Sequence, residues 1–130
     1  MKKALVGLFI LIVGFNAYSN QVIERDLTDN EKQEIEKTVK EKLKDPYTAD
    51  FKHNKLIYEG KSGVYCGMVN SKSSYGAYAG FTPFNVFIVD TLNDKGERVF
   101  VVAPITVSDA TDSLSVESVN KFCRQKGYKY

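Results

Sequence analysis

The sequence predicts an α+β domain: an antiparallel four-stranded meander flanked by an N-terminal and a C-terminal helix on one face, with one disulfide. Three observations predict it. Apolar residues recur at helical spacing near both ends of the chain and alternate with polar ones between, from Phe51 to Ala103. Turn signals, Gly60-Lys61-Ser62-Gly63 and Asn93-Asp94-Lys95-Gly96, punctuate the alternating runs. The only two cysteines, Cys66 and Cys123, fall in an alternating run and in the last helical one.

The first helix starts at a capping box, Thr28-x-x-Glu31. Leu27, Ile35, Val39 and Leu43 form its narrow apolar stripe. Glu31, Lys32, Glu34, Glu36, Lys37, Lys40, Glu41 and Lys42 occupy the other faces and read as a solvated surface. The stripe is too short to argue for a coiled-coil partner. Asp45-Pro46 stops the helix, because the residue before proline resists the helical region.

The period then becomes two. Phe51 to Glu59 reads as a strand, and Val64 to Asn70 as the next. Ser71 to Pro83 is a long polar, glycine-containing connection. Phe84 to Leu92 is the most strand-like run, and Arg98 to Ala103 returns from the Asn93–Gly96 hairpin. Pro104 to Thr111 reads as irregular or as a short edge. The second helix spans about Ser113 to Lys126, capped by Asp112 or Ser113 and stopped by Gly127. Val116, Val119, Phe122 and Cys123 mark its inner face. Val64, Cys66 and Met68 are therefore expected to face the helices.

Residues 1–19 read as a secretory signal peptide. Lys2 and Lys3 precede an apolar run from Ala4 to Phe15, and Ala17-Tyr18-Ser19 places small residues before a cut at Asn20. The rival is an uncleaved anchor, but the run is shorter than the about 20 residues a span needs. Residues 20–130 are then a single domain, with no membrane segment after cleavage. The leader carries two lysines and no acid, so the 18 Lys and Arg fall to 16, against 16 Asp and Glu. That neutral balance gives no basic excess for nucleic acid. Export places the protein in the periplasm or outside the cell, where Cys66 and Cys123 are expected to pair. The bridge closes a loop of nearly sixty residues, worth roughly 4 kcal/mol in the chain-entropy model. A metal site is poorly served by two distant thiols and the single His53, and no Cys-x-x-Cys supports redox chemistry.

Tyr65 to Phe84, YCGMVNSKSSYGAYAGFTPF, invites three readings. Gly76 and Gly80 lack the lysine and the following helix of a phosphate loop. Tyr75, Tyr78, Phe81 and Phe84 recur every third residue beside small residues, a pattern that leaves flat rings for a sugar or a protein partner. The plain alternative is packing, with Phe81 and Phe84 entering the core and the tyrosines covering a glycine-rich loop. Enzyme chemistry has little support. His53 lies among Lys52, Asn54 and Lys55 on a strand, and nothing resembles a nucleophile elbow or a metal triad. Of Asp90, Asp94, Asp109 and Asp112, weighed as a carboxylate pair for glycan hydrolysis, Asp94 is explained by its turn and Asp112 by its cap. No enzyme and no cofactor is expected.

Three pieces carry a family resemblance: LKDPYTADF (43–51), YCGMVNSKSSYGAYAGFTPF (65–84) and FCRQKG (122–127). They resemble a group of small exported proteins of proteobacteria, their prophages and plasmids. The group's pattern is matched at Asp45, Pro46, Ala49, Phe51, Cys66, Gly67, Val69, Asn70, Lys72, Gly76, Tyr78, Gly80, Phe81, Pro83 and Phe84. Thr48 replaces a commoner serine and Ser71 a commoner alanine. The resemblance implies export and the disulfide, and assigns no activity. The expectation is a non-catalytic periplasmic binding protein that recognises an envelope protein through Asn70, Lys72, Tyr75, Tyr78 and Phe81, in an inhibitory, immunity or exclusion role. The alternatives are a module binding cell-wall glycan (peptidoglycan) or an accessory subunit of an envelope assembly.

Overall fold

The computed structural model describes residues 21–73 and 76–129. The expected leader, residues 1–19, lies outside them. The chain forms β1 (Val22–Arg25), α1 (Asp29–Lys40), a 3-10 turn (Pro46–Thr48), β2 (Asp50–Lys52), β3 (Leu56–Glu59), β4 (Ser62–Asn70), β5 (Thr82–Leu92), β6 (Arg98–Val107) and α2 (Ser113–Gln125). No helix among these is long and apolar enough to cross a membrane. The strands make one antiparallel six-stranded sheet in the order β1-β3-β4-β5-β6, with β2 also on β4.

The fold is α+β with the Cys66–Cys123 bridge (Cα atoms 6.0 Å apart), but the sheet is not the four-strand meander expected. β1 adds a strand from the lead-in. The expected strand Phe51–Glu59 is broken at residues 53–55 into β2 and β3. β6 continues to Val107, across the segment from Pro104 read as irregular, with a bulge where Ile105 has no opposite number.

The helices also lie on opposite faces rather than one. Tyr65 and Cys66 are consecutive on β4, so they point to opposite sides. Tyr65 reaches α1 through His53 and Glu36; Cys66 is bonded to α2. Both faces of β4 and of the start of β5 are thus covered, and Tyr65, Cys66, Val69, Pro83, Phe84 and Val86 are all buried. Phe84 lies directly over Gly67, where a Cβ would come within 2.6 Å of its ring. Gly96 has φ 76°, the left-handed geometry that its hairpin turn requires.

α1 begins at the predicted capping box, but Glu31 is not on a solvated face. Its residue is 3% exposed. Arg25 grips it with two bonds (2.6 and 2.7 Å), Arg98 adds a third (2.9 Å) and the Thr28 amide a fourth (2.9 Å). Arg98 also bonds Asp90 (2.9 Å), which accepts from Tyr58 (3.3 Å). Burial pushes the Glu31 carboxyl up, but the bonds from Arg25 and Thr28 outweigh it and lower it from 4.5 to about 2. Arg98 holds the Asp90 carboxyl below its usual range against burial.

Both carboxyls are depressed in the fold, so their stabilisation is present above about pH 5 and is lost as the pH falls toward about 2. Glu31 alone accounts for up to about 3 kcal/mol of that loss. Glu31→Gln should lower neutral-pH stability by about 3 kcal/mol and flatten the acid limb; urea midpoints across that pH range test it, and parallel limbs for both proteins would contradict it. Cys66→Ala and Cys123→Ala should each destabilise by about 4 kcal/mol, and the double variant by little more. Additive losses in chemical denaturation would mean that the bridge is not the shared cause.

Candidate functional site

Thr48 of the 3-10 turn is bonded to two residues of the connection from β4 to β5, Lys72 and Tyr78. α1 ends at Lys40, with Glu41 as its C-cap, short of the expected stop at Asp45-Pro46, and Pro46 instead opens the 3-10 turn, where the Thr48 hydroxyl accepts from the Lys72 amide (3.1 Å). The Thr48 carbonyl accepts from the Tyr78 hydroxyl (3.2 Å). Lys72 and Tyr78 pair across the loop as an isolated antiparallel bridge, and Ser73 N–H donates to Ala77 O (2.9 Å). Lys72 Nζ lies 5.6 Å from the Tyr78 ring centroid. Tyr78 is nevertheless 52% exposed, and the neighbouring Tyr47 is 97% exposed.

The structure therefore brings Lys72 and Tyr78 together. Phe81 sits at the end of the same loop, half-buried under the Lys52 ammonium, 4.1 Å from its ring centroid. Asn70 ends β4 opposite Asp50, and its amide oxygen is sealed from solvent with no donor among the described residues. Tyr75 lies outside the described residues.

A groove of about 700 Å³ opens beside this loop. Residues 71–73 and 77–80 form one wall and 104–111 the other, with Val69 and Thr82 between and Lys42–Lys44 across one end. Three lysines, Lys42, Lys44 and Lys72, face one carboxylate, Asp109. The Thr111 amide and hydroxyl hold that carboxyl below its usual range, and Lys44 adds to the pull. The site is thus an open, basic trough lined, among the described residues, by one aromatic ring, that of Tyr78.

Of the residues weighed for catalysis, Asp109 lines the groove and the others are engaged elsewhere. His53 Nδ1 lies 2.8 Å from the Tyr65 hydroxyl and Nε2 3.1 Å from Glu36, with the ring stacked on Phe51. Asp90 belongs to the arginine cluster, Asp112 accepts from the Leu114 and Ser115 amides as the α2 cap, and Asp94 lies in the hairpin turn. Among the described residues no group of three His, Cys, Asp or Glu is placed to hold a metal ion.

Sequence reasoning missed Tyr47, Lys42, Lys44 and the 104–111 wall. For Tyr47 a local signal existed, because the residue after Asp-Pro lies outside both the helical and the alternating pattern and has no apolar face to join. The far wall had none, since it reaches the loop only through the β5–β6 pairing. No protein-family model, curated protein or solved structure matches this chain.

Thr48→Val keeps the shape and removes the acceptor of the Lys72 amide. It should cost about 1 kcal/mol, speed amide exchange at Lys72 and open residues 71–81 to proteolysis. Unchanged exchange at Lys72 would show that Thr48 does not hold the loop.

Proposed function

We propose that the protein is an exported, non-catalytic binding protein whose rim of Tyr47, Tyr78 and Lys72 docks an envelope protein, in an inhibitory, immunity or exclusion role. One observation carries the reading: two tyrosine rings stay in solvent while their backbone neighbours are fixed through Thr48. A pre-ordered tyrosine brings contact area at small entropic cost, and such residues dominate binding energy at protein interfaces. Lys42, Lys44 and Lys72 favour an acidic partner surface, mostly through association rate and orientation. Phe81 packs under Lys52 at the end of the loop, and Asn70 stands at its start, paired with Asp50. The disulfide and the lack of a spanning helix among the described residues agree with export.

The exposed Tyr47 ring also favours a second reading, stacking on cell-wall sugar rings beside a basic, hydroxyl-lined trough. Co-sedimentation with purified peptidoglycan separates the two.

The deciding comparison is capture from envelope extract by the oxidised protein and by a Tyr47→Ala/Tyr78→Ala variant of equal stability. The expected result is one protein retained by the first and weakened by about tenfold or more in the second, with weaker retention at high salt. Equal retention by both would remove these rings from the binding surface.

A further inference from the structure

The sheet has two free edges of different character. β1 is four residues long and carries Glu24 and Arg25, the short, charged form by which proteins blunt an edge. β6 is ten residues long and has no charged residue after Arg98. The hairpin closes with Asn93 N–H donating to Glu97 O (2.9 Å), and the Asp90 amide turns away from β6 to Lys61 O (2.8 Å). Alternation from these two bonds directs Val99, Val101 and Ala103 to β5 and leaves the main-chain groups of Arg98, Phe100 and Val102 pointing outward. Pro104 falls in the same outward set, where its missing N–H costs no ladder bond. Beside this edge, on the face that α2 leaves uncovered, Val101 is 50% and Phe87 41% exposed.

We propose that β6 pairs with β6 of a second copy of this chain, antiparallel about a two-fold axis through Phe100, making one continuous sheet. The edge is self-complementary about that axis. Phe100 meets Phe100, and Arg98 meets Val102 rather than the other Arg98. The Arg98 charge is already paired with Asp90 and Glu31, so it carries no unmatched charge into the contact. Val99 meets Val101 on the opposite face, joining the two apolar strips across the axis. Pro104 falls opposite Gly96, past the end of the ladder. The isologous contact closes on itself and leaves no β6 edge for a third copy, only the short, charged β1 edges at the two ends.

Sedimentation of the protein purified from the cells that make it should show twice the chain mass at high concentration and dissociation on dilution. Amide exchange at Arg98, Phe100 and Val102 should slow as the dimer forms, while Val99 and Val101 stay protected throughout. Val101→Lys, at a half-exposed position that tolerates the change, should weaken self-association by about tenfold or more. A monomer at every concentration would overturn the proposal. So would a dimer with unchanged exchange at the outward amides, or one indifferent to Val101→Lys. The exchange readout needs no variant, so a misfolded Val101→Lys leaves the proposal decidable.

Discussion

A carboxylate taken out of water destabilises a fold heavily unless it is paired, and Glu31 is taken out of water. Its oxygens are met from three directions: Arg25 at the end of β1, Arg98 at the start of β6 and the Thr28 amide at the head of α1. Those bonds fix where α1 lies on the sheet. A helix pinned at its first turn over β1 and β6 must send its far end toward the opposite end of the sheet, where Lys42, Leu43 and Lys44 close the groove. The same cluster neutralises Arg98 at the sheet's edge, which is why an otherwise uncharged strand can stand there. One buried acid thus links the helix, the groove and the edge.

The centre of the sheet is kept by two hydroxyl groups. β2 and β3 are parts of one path that leaves its register with β4 at residues 53–55, so main-chain groups there lose their strand partners. Buried amides must find others. The Asn54 amide donates to the Tyr65 hydroxyl (2.9 Å), and the Asn54 side chain donates to Cys66 O (3.0 Å). Tyr128, after α2, accepts from the Ile57 amide (3.1 Å) and donates to Val64 O (2.8 Å). Burial pushes the Tyr128 hydroxyl up to about 12, so it remains a donor at any physiological pH. The disulfide and Tyr128 therefore act on the same gap: one brings the end of α2 to β4, and the other closes the opening between β3 and β4.

What is legible in the chain is what neighbours in sequence decide. The Thr28–Glu31 capping box, the Gly96 hairpin and the Asp112 cap are all local, and each is in place, whereas α1 ends at Lys40, before the Asp45-Pro46 stop expected for it. The break at 53–55 is not legible, because the alternation from Phe51 to Glu59 is sound and the break depends on Tyr65 and Tyr128. Glu31 reads as surface because its arginines lie 6 and 67 residues away. The expectation of both helices on one face rests on Cys66 facing α2, and nothing local says that Tyr65 faces α1. At the site, Lys72 and Tyr78 are legible from the loop itself, whereas the groove's far wall depends on strand pairing.

The three sequence pieces on which the expected family resemblance rests meet in one corner of the fold. Thr48 holds Lys72 and Tyr78, Lys52 covers Phe81, Phe84 covers Gly67, and Cys66 is bonded to Cys123. Most of the pattern therefore describes a frame. Tyr47, with the most exposed ring among the described residues, is not one of the positions on which the expected resemblance rests. On the proposed reading this is a division of labour: a binding protein can keep its frame and change partner only if the contact residues vary while the residues that hold them do not. Tyr78 belongs to both sets, with its hydroxyl fixed to the frame and half of its surface in solvent. Among the described residues no hydrogen bond or ring contact holds the Tyr47 side chain, so the fold places no demand on it.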